Sequence, residues 1–531
     1  VASTNGFLIP LTDLQLTIPA QDSKKRPGVK IKPREVSEWL DDLPYLDLQR
    51  AAQAASQQLR LMNRQTLPAA ARLEILGHFL GTYQRLNESL PTNPAELDAI
   101  QPLLKRLCQD IGFGYKIVAH QLINKRGGFI ETRSLPLALL GSIYTLGLQL
   151  SYYYVGYQRV PRALWSECLA LYSYAWRTGR ESYSSNLPGS GHIQIEASFC
   201  LIALLRLADP YCLPAGMIPV LRKYFAAHCG LVSIESEAEC EGASVPLTAH
   251  EHVIEATADT RMFLNLVALT EQMEKDIENL QRHNQSQSLG LPPEVPASTL
   301  LRTLQQVHDH WRNRRTRTAE RQPAHARIEL VSGLDAAYCM LNKGRWFNPA
   351  LFLAPGHEDI IDLGGRPLSD PPSHKTPAVF TCTSINRSNG GLAVIYRGTQ
   401  TGHPRIGQLV ALRRPSEKCT VGWVIAVVRW LVEAGSGSGF DLGLQYLARE
   451  PVPVVTRVKD TSGLGGDYQP AVSAVQKRGE QRLHTLIARS GEIQIGDEVT
   501  IYEQSGGLHS VRCTELLESA PGFQRFIYEL A

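Results

Sequence analysis

What the chain lacks narrows its chemistry first. Its ten cysteines are scattered from Cys108 to Cys513, and no two form a CxxC pair. That spacing argues against a zinc module and against a dense disulfide framework, and it suits a reducing cytosol. Charge of one sign is also scarce: the formal net charge is +3 over 531 residues. No global basic field therefore calls for nucleic acid, and any anion site must be local. No positively charged, then apolar pattern opens the sequence at Val1, so a cytoplasmic chain is expected.

Enzyme signatures are missing as well. Gly435-Ser436-Gly437-Ser438-Gly439 is not followed by the Lys-Ser/Thr of a phosphate loop, which leaves a hairpin loop. His250-Glu251-His252 and His308-Asp309-His310 lack the i, i+4 spacing of a helix-face metal pair, so no metal site is expected. Tyr183, Ser184 and Ser185 near His192 have no nucleophile-elbow context. No catalytic residues and no cofactor are expected.

Long apolar runs are limited to one. Residues 135–158 carry no charge and are long enough to span a bilayer. Ser142, Thr145, Gln149 and five tyrosines make this segment poor hydrocarbon, so it reads as a buried helix and no membrane span is expected.

What is present divides the chain. The prolines at 10, 19, 27 and 33 make residues 1–34 an extended arm. Residues 35–285 carry helical periodicity, with candidate helices at 49–64, 67–86, 96–124, 135–156, 161–179, 191–207, 214–228 and 257–284. Short connections between them predict an α-solenoid-like all-α array. In 257–284, Met262, Leu266, Leu269, Met273, Ile277 and Leu280 form one apolar stripe, which is either core or a homodimer seam. Residues 286–310 read as a linker and connecting helix. Beyond residue 325, short Val- and Ile-rich runs punctuated by Gly and Pro predict an all-β region of barrel or sandwich type. A helix is expected to interrupt it at 333–342. Residues 311–457 are expected to form one β-barrel domain, and 458–531 a small second barrel or an extension of the first.

Two motifs in the β region point to a ligand. Arg317-x-x-x-Arg321 leads into the first strand, and Asn386-Arg387-Ser388-Asn389-Gly390-Gly391 lies between two β-like runs. Arginine's planar fork matches both a phosphate and the O6/N7 edge of guanine. The opposite guanine edge donates, and an Asn carbonyl with a Ser hydroxyl can accept from it. Glycine lets the backbone approach closely.

This pairing resembles the PilZ family, whose signature is RxxxR ahead of the barrel followed by (D/N)xSxxG. Arg317, Arg321, Asn386, Ser388 and Gly391 fit it. Val427-Val428-Arg429-Trp430, followed by Leu442-Gly443-Leu444-Gln445, resembles the family's later strand pair. The resemblance implies a six-stranded Greek-key-like barrel and binding of the second messenger cyclic di-GMP. Arg314, Arg315 and Arg429 are further candidate contacts. The stretch between Arg321 and Asn386 exceeds the family's spacing and holds the expected helix and a Pro-rich loop, 364–376. The resemblance covers about residues 310–455, which leaves the helical half without an assigned family.

The expected function is a cyclic di-GMP receptor of bacterial signalling, with the helical half engaging a protein partner. Motility, biofilm formation and adhesion are all open as outputs. Two alternatives remain from the sequence: a ligand-free scaffold with a degenerate barrel, and a single-stranded nucleic-acid binder using the basic arm.

Overall fold

The computed structural model describes residues 14–22, 28–91, 93–124, 131–236, 244–248, 262–291, 294–313, 321–349, 376–398, 404–415, 422–433, 439–459, 466–478, 481–503 and 507–531. The chain forms two compact units that divide near residue 315.

The first unit is helical. It contains α1 (Pro33–Asp41), α2 (Leu48–Asn63), α3 (Ala69–Glu88), α4 (Pro94–Asn124), α5 (Glu131–Val155) and α6 (Arg162–Arg177). A hairpin of β1 (Ser184–Leu187) and β2 (Gly191–Gln194) then leads into α7 (Ile195–Leu207) and α8 (Met217–His228). A small sheet joins β3 (Ser233–Ser236), β4 (Val245–Pro246) and β5 (Met262–Asn265), and α9 (Val267–His283) and α10 (Ala297–Asn313) close the unit.

Local chemistry explains several helix starts. Asp47 accepts from the Arg50 amide at 3.0 Å and caps α2. Asn93 accepts from the Ala95 amide at 3.0 Å and donates to Glu96 at 3.4 Å ahead of α4. Helix α5 is long and apolar enough to cross a membrane, yet 83% of its most apolar stretch is buried inside the unit. Leu139, Leu140, Ile143 and Leu146 are fully buried, so it serves here as the core helix. Lys116 and Glu167 pair at 2.7 Å in this core, and Glu167 also accepts from the Thr17 amide at 2.8 Å.

Two helix expectations are corrected: Gly191–Gln194 at the start of 191–207 forms β2, and the stretch 257–284 is divided. Among the described residues of 257–284, Val267–His283 is helical and Met262–Asn265 forms a strand. Met262 and Leu264 alternate buried with half-buried neighbours and pair with β3 and β4 on either side. Two flanking strands satisfy this backbone better than an extended helix could. Leu269, Met273 and Leu280 are buried in the chain's own core, so the stripe is core and not a seam.

The second unit is built from strands. Its first part comprises β6 (Gln322–Pro323), β7 (Arg327–Ser332), α11 (Leu334–Leu341), β8 (Phe380–Arg387), β9 (Gly391–Tyr396), β10 (Leu409–Arg413), β11 (Val424–Glu433) and β12 (Phe440–Ala448). Pairing runs β8-β7-β10-β11-β12-β9 and returns from β9 to β8, so six antiparallel strands close into a ring. The two-residue β6 adds to β8 outside that ring. The chain crosses the barrel between β9 and β10, which gives the expected Greek-key-like order.

The rest comprises β13 (Val452–Val458), β14 (Gln469–Arg478), β15 (Gln481–Ala488), β16 (Glu498–Glu503), β17 (Leu508–Ala520) and β18 (Phe523–Leu530). These close as β13-β14-β15-β18-β17-β16. Substituting β7 to β12 for β13 to β18 in order reproduces the first ring, so the unit holds two barrels of one topology in tandem. Closure removes the free edges that would otherwise invite association. One apolar cluster joins the barrels: Val331 and Leu334 pack in it with Val472, Ile487 and Phe523.

Candidate functional site

The second sequence motif folds as the tip of the β8–β9 hairpin. The Ser388 amide donates to the Gly391 carbonyl at 2.9 Å and closes a two-residue loop, Asn389-Gly390. A register shift between Ser384 and Asn386 leaves Ile385 as the extra residue. Such a bulge re-aims the side chains that follow it, here Asn386. The Ser384 hydroxyl is fixed by accepting from the Ala326 amide at 2.8 Å.

The glycine of the motif has a steric reason. A Cβ at Gly391 would collide with the Leu444 carbonyl oxygen on β12. Only glycine lets β9 start so close to its neighbour. Gly443 on β12 is similarly constrained, because the Trp430 indole lies over it from the paired position on β11.

The arginine motif reaches the same tip through β6. Gln322 pairs with Arg387 and Pro323 with Asn386, both antiparallel. The Ala324 amide continues the register by donating to the Ile385 carbonyl at 3.0 Å. Arg321, which is exposed, directly precedes the first residue of this pairing, as Ser388 directly follows its partner Arg387. In sequence the long insertion falls between β7 and β8, and β6 pairs with β8 directly. Arg314, Arg315 and Arg317 lie outside the described residues.

Arg429 lies close by but is engaged. Its Nε donates to Gln445 Oε1 at 2.6 Å, and Gln445 pairs with Gly391 across β12 and β9. Its Nη1 and Nη2 meet the Glu518 carboxylate of the second barrel at 2.7 and 3.1 Å.

Four residues at or beside the tip escaped sequence reasoning: Arg387, Tyr446, Arg449 and Glu518. Arg387 ends β8 and is exposed. Arg449 Nη2 donates to the Asn389 carbonyl at 2.6 Å, with its guanidinium carbon 4.9 Å from the centre of the Tyr446 ring. The Tyr446 amide donates to the Gly390 carbonyl at 3.0 Å. Burial pushes the Tyr446 hydroxyl above its ordinary pKa, while Arg449 and Arg387 pull it down. The only advance signal was the Arg inside Asn-Arg-Ser and the Tyr-Leu-Ala-Arg that ends β12.

His308 pairs with Glu274 at 3.1 Å, and His250 and His252 lie outside the described residues. Among the described residues no group of three metal-capable side chains exists. The 434–438 glycine-serine loop is also outside them.

A closed six-stranded antiparallel ring with a (D/N)xSxxG hairpin beside a preceding arginine defines a PilZ domain, and the comparisons agree. Residues 365–453 match the family model described as "Cyclic-di-GMP receptor FimW, middle PilZ domain". Residues 34–239 match the one described as "Cyclic-di-GMP receptor FimW, N-terminal domain". The chain is similar to the "Cyclic-di-GMP receptor FimW" of Pseudomonas aeruginosa, with 22% identity over 534 aligned positions, covering 87% of this chain and 86% of that protein. The PilZ match contains Asn386, Ser388, Gly391, Arg429, Tyr446 and Arg449, and stops short of Arg321 and Glu518.

Proposed function

We propose that this protein is a receptor for cyclic di-GMP that binds without chemical turnover. The observation that supports the reading is the β6–β8 pairing of Gln322 with Arg387 and Pro323 with Asn386, which starts directly after Arg321 and ends directly before Ser388. Arg321, with Arg317 four residues earlier, supplies forks for phosphate and the guanine O6/N7 edge. Asn386 and Ser388 supply acceptors for the guanine donor edge. The similarity to a cyclic di-GMP receptor supports the same ligand.

We read residues 311–457 as the sensing domain, 458–531 as its partner barrel and 35–285 as the output module for a protein partner. A cytoplasmic location follows from the ligand's place inside the cell. Thermal melting of the full chain with and without cyclic di-GMP tests this reading. Ligand at about 100 times Kd raises folded-state stability by about 2.7 kcal/mol, which appears as an upward shift of the β unit's transition. Absence of any shift, in the wild type and in Arg321→Ala alike, favours the ligand-free scaffold.

A further inference from the structure

The Asn389-Gly390 turn has a second flank, formed by the end of β12, and its cations have no acidic partner among the described residues. Arg387 makes no ion pair and no side-chain hydrogen bond among the described residues. Arg449 uses one N–H on the Asn389 carbonyl and lies over the Tyr446 ring. Strand register sets Arg387 and Tyr446 on one face of the sheet, since Arg387 pairs with Leu392, Leu392 pairs with Leu444, and Tyr446 stands two residues after Leu444; both guanidinium groups also act electrostatically on the Tyr446 hydroxyl.

The plainer reading makes Arg449 a brace for the turn. The turn is already closed by Ser388 and Gly391 and anchored by the Tyr446 amide, so the brace leaves most of the arginine's five donors unexplained. It also leaves Arg387 without a role. Two cations beside a half-buried ring are what a phosphate next to a purine requires: the guanidinium groups take the phosphate, and the ring or the stacked guanidinium takes the base face.

We propose that Arg387, Tyr446 and Arg449 form a second docking platform for the dinucleotide. It takes the phosphate and stacked purine of the half that the Asn386–Gly391 turn does not grip. The proposal rests on the receptor reading above. A cyclic dinucleotide carries two bases and two phosphates, and the acceptors of one turn serve only one guanine edge. The platform supplies a second contact by stacking and charge, which needs no base-edge code.

The test is calorimetric titration of the full chain with cyclic di-GMP, comparing wild type, Arg321→Ala, Arg387→Ala, Tyr446→Leu and the Arg387→Ala/Arg449→Ala double variant. Arg387→Ala is the clean variant, because it removes no described hydrogen bond. Its ligand-free melting temperature stays at the wild-type value, while Kd rises about tenfold, the worth of one charge-assisted contact. The double variant and Tyr446→Leu weaken binding further. Tyr446→Leu also abolishes the ligand's hypochromic shift at the guanine band. Unchanged affinity in Arg387→Ala and Tyr446→Leu, with binding lost in Arg321→Ala, overturns the platform and leaves the receptor reading standing. Absence of binding by the wild type overturns both.

Discussion

Arg429 of β11 and Glu518 of β17 hold each other through two contacts, 2.7 and 3.1 Å, across the seam between the two barrels. Gln445 holds the remaining Nε at 2.6 Å. Arg429, linked through Gln445 to the strand position paired with Gly391, is thus matched to a carboxylate from outside its own barrel. A ligand phosphate arriving there competes with Glu518 for the same donors. Substituting Glu518→Gln weakens that competitor without removing its hydrogen-bonding oxygen. The expected result is cyclic di-GMP binding tighter by about two- to fivefold, the worth of one partly screened ion pair. Equal or weaker binding by calorimetry rejects this competition.

Gly391→Ala strikes the hairpin itself. The new methyl group meets a backbone carbonyl, Leu444, which has no rotamer to yield. Overpacking of this kind costs about 1–3 kcal/mol. A lowered melting temperature together with lost ligand affinity is expected, whereas Gly390→Ala, where the added atom meets open space, leaves stability near the wild type.

In the helical unit, Glu167→Ala leaves the Lys116 ammonium buried without its carboxylate, in a site where burial already lowers its pKa. The expected cost is about 3–5 kcal/mol, seen in urea unfolding as a lower midpoint. Adding Lys116→Met to that variant recovers much of the loss, because no charge is then stranded.

Asp110 gives a pH dependence. Burial raises its carboxyl pKa, against the opposing pull of Ser56 and Arg60. A raised folded-state value means that the folded chain binds this proton more tightly than the unfolded chain does. The resulting stability is fully present below the ordinary value of 3.8 and is lost as pH rises through the raised value. Asp110→Asn removes this dependence. Its melting temperature therefore gains on the wild type as pH climbs from below 3.8 toward neutrality. A constant difference across that range contradicts the assignment.

The parts of this molecule that local sequence controls were legible. Asn389-Gly390 between Val- and Ile-rich runs marks a hairpin from composition alone, and Asn93 before Pro94 marks the start of α4. Non-local pairing decided the rest. Met262 fits a helical stripe as readily as a strand, and only the pairing of β5 with β3 and β4 on either side selects the strand. Arg449 reaches Asn389 across 60 residues, and Glu518 reaches Arg429 across 89, so neither contact leaves a local signature. The common topology of the two barrels is likewise a matter of strand order, which no repeated motif announces. In the second barrel, Lys477, Arg478 and Gln481 stand at the β14–β15 turn, where the first barrel has its Asn-x-Ser hairpin.

Central to the proposed function is that Arg321 and the Asn386–Gly391 hairpin together hold cyclic di-GMP. Calorimetric titration of the full chain, wild type against Arg321→Ala and Ser388→Ala, tests it most directly. The prediction is saturable heat in the wild type, with affinity reduced about tenfold or more in each variant, as expected for lost contacts to charged or buried groups. Absence of heat in the wild type, or equal affinity in all three proteins, contradicts it.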